Sequence, residues 1–327
     1  VLGASATNTI VFNGNGANIQ YLSTDYYEKA VIKLNGADHI TFDSLHITAL
    51  GNSSEYGFGF HLTNNADSNV IKNSTITVNN TETWGEFAGI VINGGDYFTA
   101  SGSLCDGNMV DRNKIMGGIY GIILVGSDDM PVKNNIIANN TIQNFYDYGV
   151  YLSSSANTTI EGNDISRPNR ISSSSVYGIY VSGPNLVTNI SKNRIHAIFD
   201  SELTTTSEFY GISLNYADAD LGFENVISNN LIYDIKGDGA IYALHNSNSN
   251  AALYYYNTVS LDDQNSNAQV DAYAFYNTNY TAGIQIKNNI FSISRSGNGL
   301  KYGIYIADDR VTLITSDNNN FFTNGNN

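Results

Sequence analysis

Short runs of alternating apolar and polar residues recur along the whole chain, divided by Gly, Asn, Asp and Ser. The stretch VYGIYV (176–181) has close copies in EYGFGF (55–60), IYGIIL (119–124), DYGVYL (147–152), FYGISL (209–214) and KYGIYI (301–306). The small residue at its centre defines a column at Gly57, Gly89, Gly121, Gly149, Gly178, Gly211, Ala240, Ala272 and Gly303, with a mean spacing of about 31 residues. Downstream lies a second column, Asn followed two residues later by an aliphatic: Asn113, Asn140, Asn163, Asn193, Asn230, Asn257 and Asn288, with Ser74 once in its place.

Each repeat therefore holds two or three short strands rich in Ile, Val, Tyr and Phe. No segment keeps a helical period over ten residues, which excludes helix-bearing repeats. Propeller blades need four strands in a longer repeat. A parallel β-solenoid, one coil per repeat, remains. Equivalent positions then stack one strand spacing apart, about 4.8 Å. Ile lies on Ile inside, and Asn on Asn at a corner whose tight backbone Asn tolerates. We expect an all-β parallel β-helix of about ten coils, 1–327 as a single domain, roughly 50 Å long by that spacing.

The paired columns resemble the right-handed parallel β-helix of the pectin-lyase-like superfamily over residues 30–322. The stretch AVIKLNGADHITFDSLHIT, with YGFGFHLTNNADSNVIKNSTI after it, is similar to long secreted surface proteins of Bacteroidetes-type bacteria. That fold hosts lyases, hydrolases, epimerases, adhesins and tailspikes, so the resemblance implies fold far more than activity.

Composition narrows the partners. The 327 residues carry a formal charge of -15, which disfavours nucleic acid, anionic membranes and, more mildly, uronate or sulfated polymers. No apolar run is long enough to span a membrane. Cys105 is the only cysteine, so no internal disulfide forms, and its expected place is the core. Asparagine is abundant, 47 residues, but it falls in register with the apolar positions, unlike a low-complexity tract.

Candidate chemistry is sparse. The Gly-His-Gly and Arg-Ile-Lys elements of the superfamily's hydrolases are absent. Arg167 and Arg170, in SRPNRISSSS, are the loop candidates for a lyase base, against a solvated-loop reading. The acidic pairs Asp128–Asp129, Asp262–Asp263 and Asp308–Asp309 lie in different parts of the repeat and need not converge. DADLGFE (218–224) sets Asp218, Asp220 and Glu224 around Gly222, a spacing able to offer oxygen ligands to calcium; the alternative is an acidic insertion loop.

Strand alternation turns Ile179 and Val181 inward, and Gly178 and Tyr180 outward. Tyr177 shares the inward parity and packs where the strand begins. The outward column then reads Lys33, Gly59, Val91, Ile123, Tyr151, Tyr180, Ser213, Tyr242, Ala274 and Tyr305. Tyr151, Tyr180, Tyr242 and Tyr305 are the candidate ligand-binding residues, because rings stack on sugar faces. A structural role under covering loops is the competing reading.

Neither end shows a capping helix, so we expect flanking domains or copies stacked end to end. The leading expectation is a non-catalytic extracellular module of a bacterial surface adhesin, filament or matrix protein, with a polysaccharide or glycan as a candidate partner. The alternative is a secreted polysaccharide lyase or glycoside hydrolase, which needs a cleft where two acids, or a base beside acids, converge.

Overall fold

The computed structural model describes residues 4–52, 55–84, 86–102, 104–171, 175–279, 281–308 and 314–324. Its strands pair in parallel throughout, and they form three columns. One coil shows the plan: Tyr148–Ala156, then Thr159–Glu161, then Asp164–Arg167. Each strand pairs with its counterpart one coil away, as Ile160 does with Ile190 and Ile165 with Ile195. The first column is a broad sheet whose main path is ten strands, from Ala30–Asn35 to Lys301–Ile306. We call it the tyrosine face. The other two are narrow, and Ile40–Ala49 joins them by pairing with both. The fold is a parallel β-solenoid of about ten coils, as the repeat predicts, and right-handed, as the resemblance implies.

The core is a set of stacks along the axis. Ile137, Ile160 and Ile190 line one narrow column, and Ile142, Ile165 and Ile195 the other, all at most 1% exposed. Burying each such side chain contributes about 2–3 kcal/mol. Cys105 lies in this core, fully buried, as expected.

The corner between the narrow columns is built by the asparagine ladder. In successive coils the backbone N–H of Asn113 donates to Oδ1 of Asn140, that of Asn140 to Asn163, and that of Asn163 to Asn193, at 2.9–3.0 Å. The side-chain Nδ2 donates to the same oxygen and also to a strand carbonyl, as Asn163 does to Ile137 at 2.9 Å. The ladder runs on through Asn230 and Asn257 to Asn289 and Asn319. Two points of the sequence reading change. The ladder member in the KNNI coil is Asn289, not Asn288, so Phe291 fills the core and Ile290 is 50% exposed. The left-handed conformation falls on the residue before the ladder asparagine, at Arg112, Asn139, Lys192, Tyr256 and Asn288.

The tyrosine face departs from simple alternation. At Gly178 a Cβ would lie 2.6 Å from the Gly211 carbonyl oxygen and 2.9 Å from core Ile195, so this position faces inward. Ile179 is also in the core. Two consecutive residues thus turn in, and Tyr177 and Tyr180 both turn out. The inward small column is Gly59, Gly89, Gly121, Gly149, Gly178 and Gly211, each against the next coil's backbone, continued by buried Ala243 and Ala274. Gly57, Ala240 and Ala272 are not members. The outward reading of Gly178 and the inward reading of Tyr177 are both overturned.

Candidate functional site

Because of this irregularity the face carries two adjoining rows of rings. The first is Tyr120, Tyr148, Tyr177, Tyr210, Tyr242, Tyr273 and Tyr302. Successive centroids are 5.1, 4.9, 4.6, 4.8, 5.1 and 5.2 Å apart, with planes within 12° of parallel. The second row, by strand register, is His61, Val91, Ile123, Tyr151, Tyr180, Ser213, His245, Tyr276 and Tyr305. It contains Tyr151 and Tyr180, stacked at 5.4 Å, and Tyr305 on Tyr276 at 5.3 Å. Tyr242 belongs to the first row, and Gly59 and Ala274 to the inward column. Sequence alternation missed Tyr120, Tyr148, Tyr177, Tyr210, Tyr273, Tyr276 and Tyr302 as outward rings.

The stacking limits what the rows can bind. Ring faces within each row cover one another, leaving mainly edges and hydroxyls for a ligand. Several hydroxyls are already bonded: Tyr210 donates to Glu208 at 2.9 Å, Tyr273 to Asp271 at 3.0 Å, and Tyr180 accepts from Asn215 at 2.8 Å. Burial pushes the phenols up, Tyr177 and Tyr242 to about 12, with the nearby Glu208 carboxylate adding to both. In the second row, Ser213 bonds His245 at 2.9 Å, and burial lowers that imidazole to about 4.

Free ring surface and acids meet instead at the head of the first row. A cleft of about 550 Å³ is lined by Glu55, Tyr56, Thr83, Trp84, Glu86, Tyr97, Phe98, Ile119, Tyr120 and Asp147. Glu55 and Tyr56 precede the strand Gly57–Thr63, Thr83, Trp84 and Glu86 precede Phe87–Ile92, Tyr97 and Phe98 follow it, and Ile119, Tyr120 and Asp147 come from the next two coils. Trp84, the only tryptophan, is 70% exposed. Phe98 packs on Tyr120 at 5.1 Å and on Tyr97 at 4.4 Å, continuing the ring row into the cleft. Glu86 is buried and paired with Lys29, whose Nζ also donates to the Asp96 carbonyl at 2.6 Å and lies 3.6 Å from the centroid of Tyr26. Burial pushes the Glu86 carboxyl up and the Lys29 ammonium down, and each partner partly restores the other's charge. A second hollow, about 420 Å³ beside Thr48, Asn79 and Met116, is lined by neither acid nor ring.

The remaining candidates are placed elsewhere. Arg167 and Arg170 are buried, not solvated. Arg167 Nε donates to the Phe145 carbonyl at 3.1 Å, with Glu202 at 3.4 Å; Arg170 donates to the Glu82 carbonyl and lies over the Tyr146 ring. Burial lowers both guanidinium groups, Arg170 to about 10, leaving them cations at neutral pH and poor bases. Asp218, Asp220 and Glu224 do not form a calcium cage. Asp218 accepts from the Asn250 backbone and side chain, and Glu224 folds back onto the Gly222 amide. Among the described residues no three His, Cys, Asp or Glu side chains gather to hold a metal. Asp128 accepts from Ser154 of the next coil and Asp263 from the Asn265 amide in a local turn, while Asp309 lies outside the described residues.

Comparison with known proteins agrees with the coil geometry. Residues 102–260 match the family model described as the right handed beta helix region. The chain is a right-handed β-helix. No curated protein matches it. Among solved structures the β-helix is similar to a glycoside hydrolase (11% identity, TM-score 0.42, 89% of this chain and 38% of that one). It is also similar to a periplasmic alginate epimerase, AlgG (14%, 0.44, 88% and 61%), and to an alginate lyase from Paenibacillus (14%, 0.39, 89% and 99%). The chain thus spans less than two thirds of each of the first two. At these identities the likeness concerns fold. No helix among the described residues is long and apolar enough to cross a membrane.

Proposed function

We propose that this β-helix is an extracellular or cell-surface module that binds a neutral glycan in the cleft bounded by Trp84, Tyr56, Tyr97 and Tyr120. The observation that carries the reading is the lining itself: exposed aromatic surface beside Glu55, Glu86 and Asp147. Ring faces cover the apolar faces of a sugar, and carboxylates accept from its hydroxyls. The charge of -15 favours a neutral over an anionic polymer. The test is a glycan array followed by titration calorimetry. A neutral glycan should bind, and Trp84→Ala should weaken it by about tenfold or more. Unchanged binding after Trp84→Ala would reject the cleft.

A second reading has one specific support. Glu86 and Asp147 line the same cleft, where a glycoside hydrolase would need two acids, and burial raises Glu86 in the sense a general acid needs while its Lys29 partner opposes that shift. New reducing ends, abolished by Glu86→Gln or Asp147→Asn, would make the module an enzyme. Binding without product keeps it a lectin-like surface module.

A further inference from the structure

We propose that the outer surface of the two tyrosine rows is a separate site, which binds a long, flat, cationic aromatic molecule lying along the solenoid axis. The rows meet edge to face in four coils: Tyr148 with Tyr151 at 5.3 Å and 88°, Tyr177 with Tyr180 at 5.1 Å and 76°, Tyr273 with Tyr276 at 4.6 Å and 65°, Tyr302 with Tyr305 at 4.9 Å and 66°. Along the axis each row is stacked nearly parallel. This is a herringbone strip of ring edges and hydroxyls along the axis, interrupted in the second row at Ser213. A planar arene aligned with the axis meets a ring edge or hydroxyl at every coil, whereas a puckered sugar needs ring faces that stacking has covered.

Charge selects among planar arenes. Asp147 acts on Tyr120, Tyr148 and Tyr177; Glu208 on Tyr177, Tyr210 and Tyr242; Asp271 on Tyr242, Tyr273 and Tyr302. A carboxylate therefore borders the first row along its length. The cation at its far end, Lys301, is turned to the Gly297 and Gly299 carbonyls. An aromatic cation gains from this field. An aromatic anion is repelled. The site lies along the regular coils and does not depend on glycan binding at the cleft.

The probe is thioflavin T, a rod-shaped benzothiazolium cation, titrated into the intact chain and followed by fluorescence. We expect a saturable rise that weakens with added salt. Removing the tyrosines of one row by Tyr151→Thr, Tyr180→Thr, Tyr276→Thr and Tyr305→Thr together should weaken binding about tenfold. Glu208→Gln with Asp271→Asn keeps both rows and the bonds to Tyr210 and Tyr273, so it reports on charge even if the first variant unfolds. It should weaken binding by a smaller factor and flatten the salt dependence. Trp84→Ala should change nothing. Absence of saturable binding overturns the proposal, as does indifference to Glu208→Gln with Asp271→Asn. Loss with Trp84→Ala but not with the folded tyrosine variant also overturns it, by moving the probe to the cleft.

Discussion

The asparagine corner and the tyrosine face are both ladders with one rung per coil, yet they treat their polar groups differently. At the corner, Asn163 accepts from the backbone and side chain of Asn140, and donates to Asn193 and to the Ile137 carbonyl. Its hydrogen-bonding capacity is spent within the ladder. On the tyrosine face, rings cover one another but leave edges and hydroxyls half-exposed. Regular repetition is thus explained by stacking alone. Chemistry that stacking does not explain collects where the repeat is interrupted, at the cleft of Trp84, Glu86 and Asp147.

The largest effect expected is at the corner. Asn163→Ala strands two donors of Asn140 and one strand carbonyl in the core, and should cost about 3 kcal/mol in denaturant unfolding. The companion corner, between the tyrosine face and the first narrow column, sharpens this. There Asn69 and Asn108 donate in series toward Asn135, but Thr158 and Thr188 follow, and Asn135 Nδ2 and both threonine hydroxyls lack partners. Asn135→Ala should therefore cost clearly less than Asn163→Ala. Equal losses would refute the ladder as the source of stability.

Acid should break the tyrosine face and spare the corner, which has no titrating group. The unfolded chain takes up a proton on His245 near its ordinary 6.5, the folded chain only at about 4. Between these values the unfolded state binds more protons, so stability falls as pH drops from 6.5 to about 4, by up to about 3 kcal/mol from this group. Buried His61, bonded to Asn93 at 2.8 Å and also lowered by burial, adds in the same sense. His245→Gln should flatten the pH dependence of the melting temperature over that window. An unaltered slope would show that His245 is protonated without penalty. The smallest effect expected is a gain: Thr158→Asn, by giving Asn135 a partner, should add up to about 1 kcal/mol.

How far the sequence could be read follows from the same contrast. The period and the Ile and Asn columns predict the coil, because one residue type recurs wherever a stack demands it. Register was lost where local geometry breaks the count. KNNI offers two asparagines in a row, and only the core shows that Phe291, not Ile290, is the inward residue. At Gly178 two successive inward residues reverse the parity, which misplaced Tyr177, and taking Ala240 in place of Ala243 for the small column misplaced Tyr242. The cleft was not legible, because Tyr56, Trp84, Tyr97 and Asp147 come from different coils through connections of unequal length. The available signals were a lone tryptophan and a lengthened repeat between residues 79 and 108.

The most direct measurement is the affinity for a glycan selected on the array, compared between Trp84→Ala and Tyr242→Thr in folded protein. The account predicts a loss of about tenfold or more for Trp84→Ala and little change for Tyr242→Thr. The reverse, binding lost at Tyr242 and kept at Trp84, would place glycan recognition on the repeated rings and contradict it.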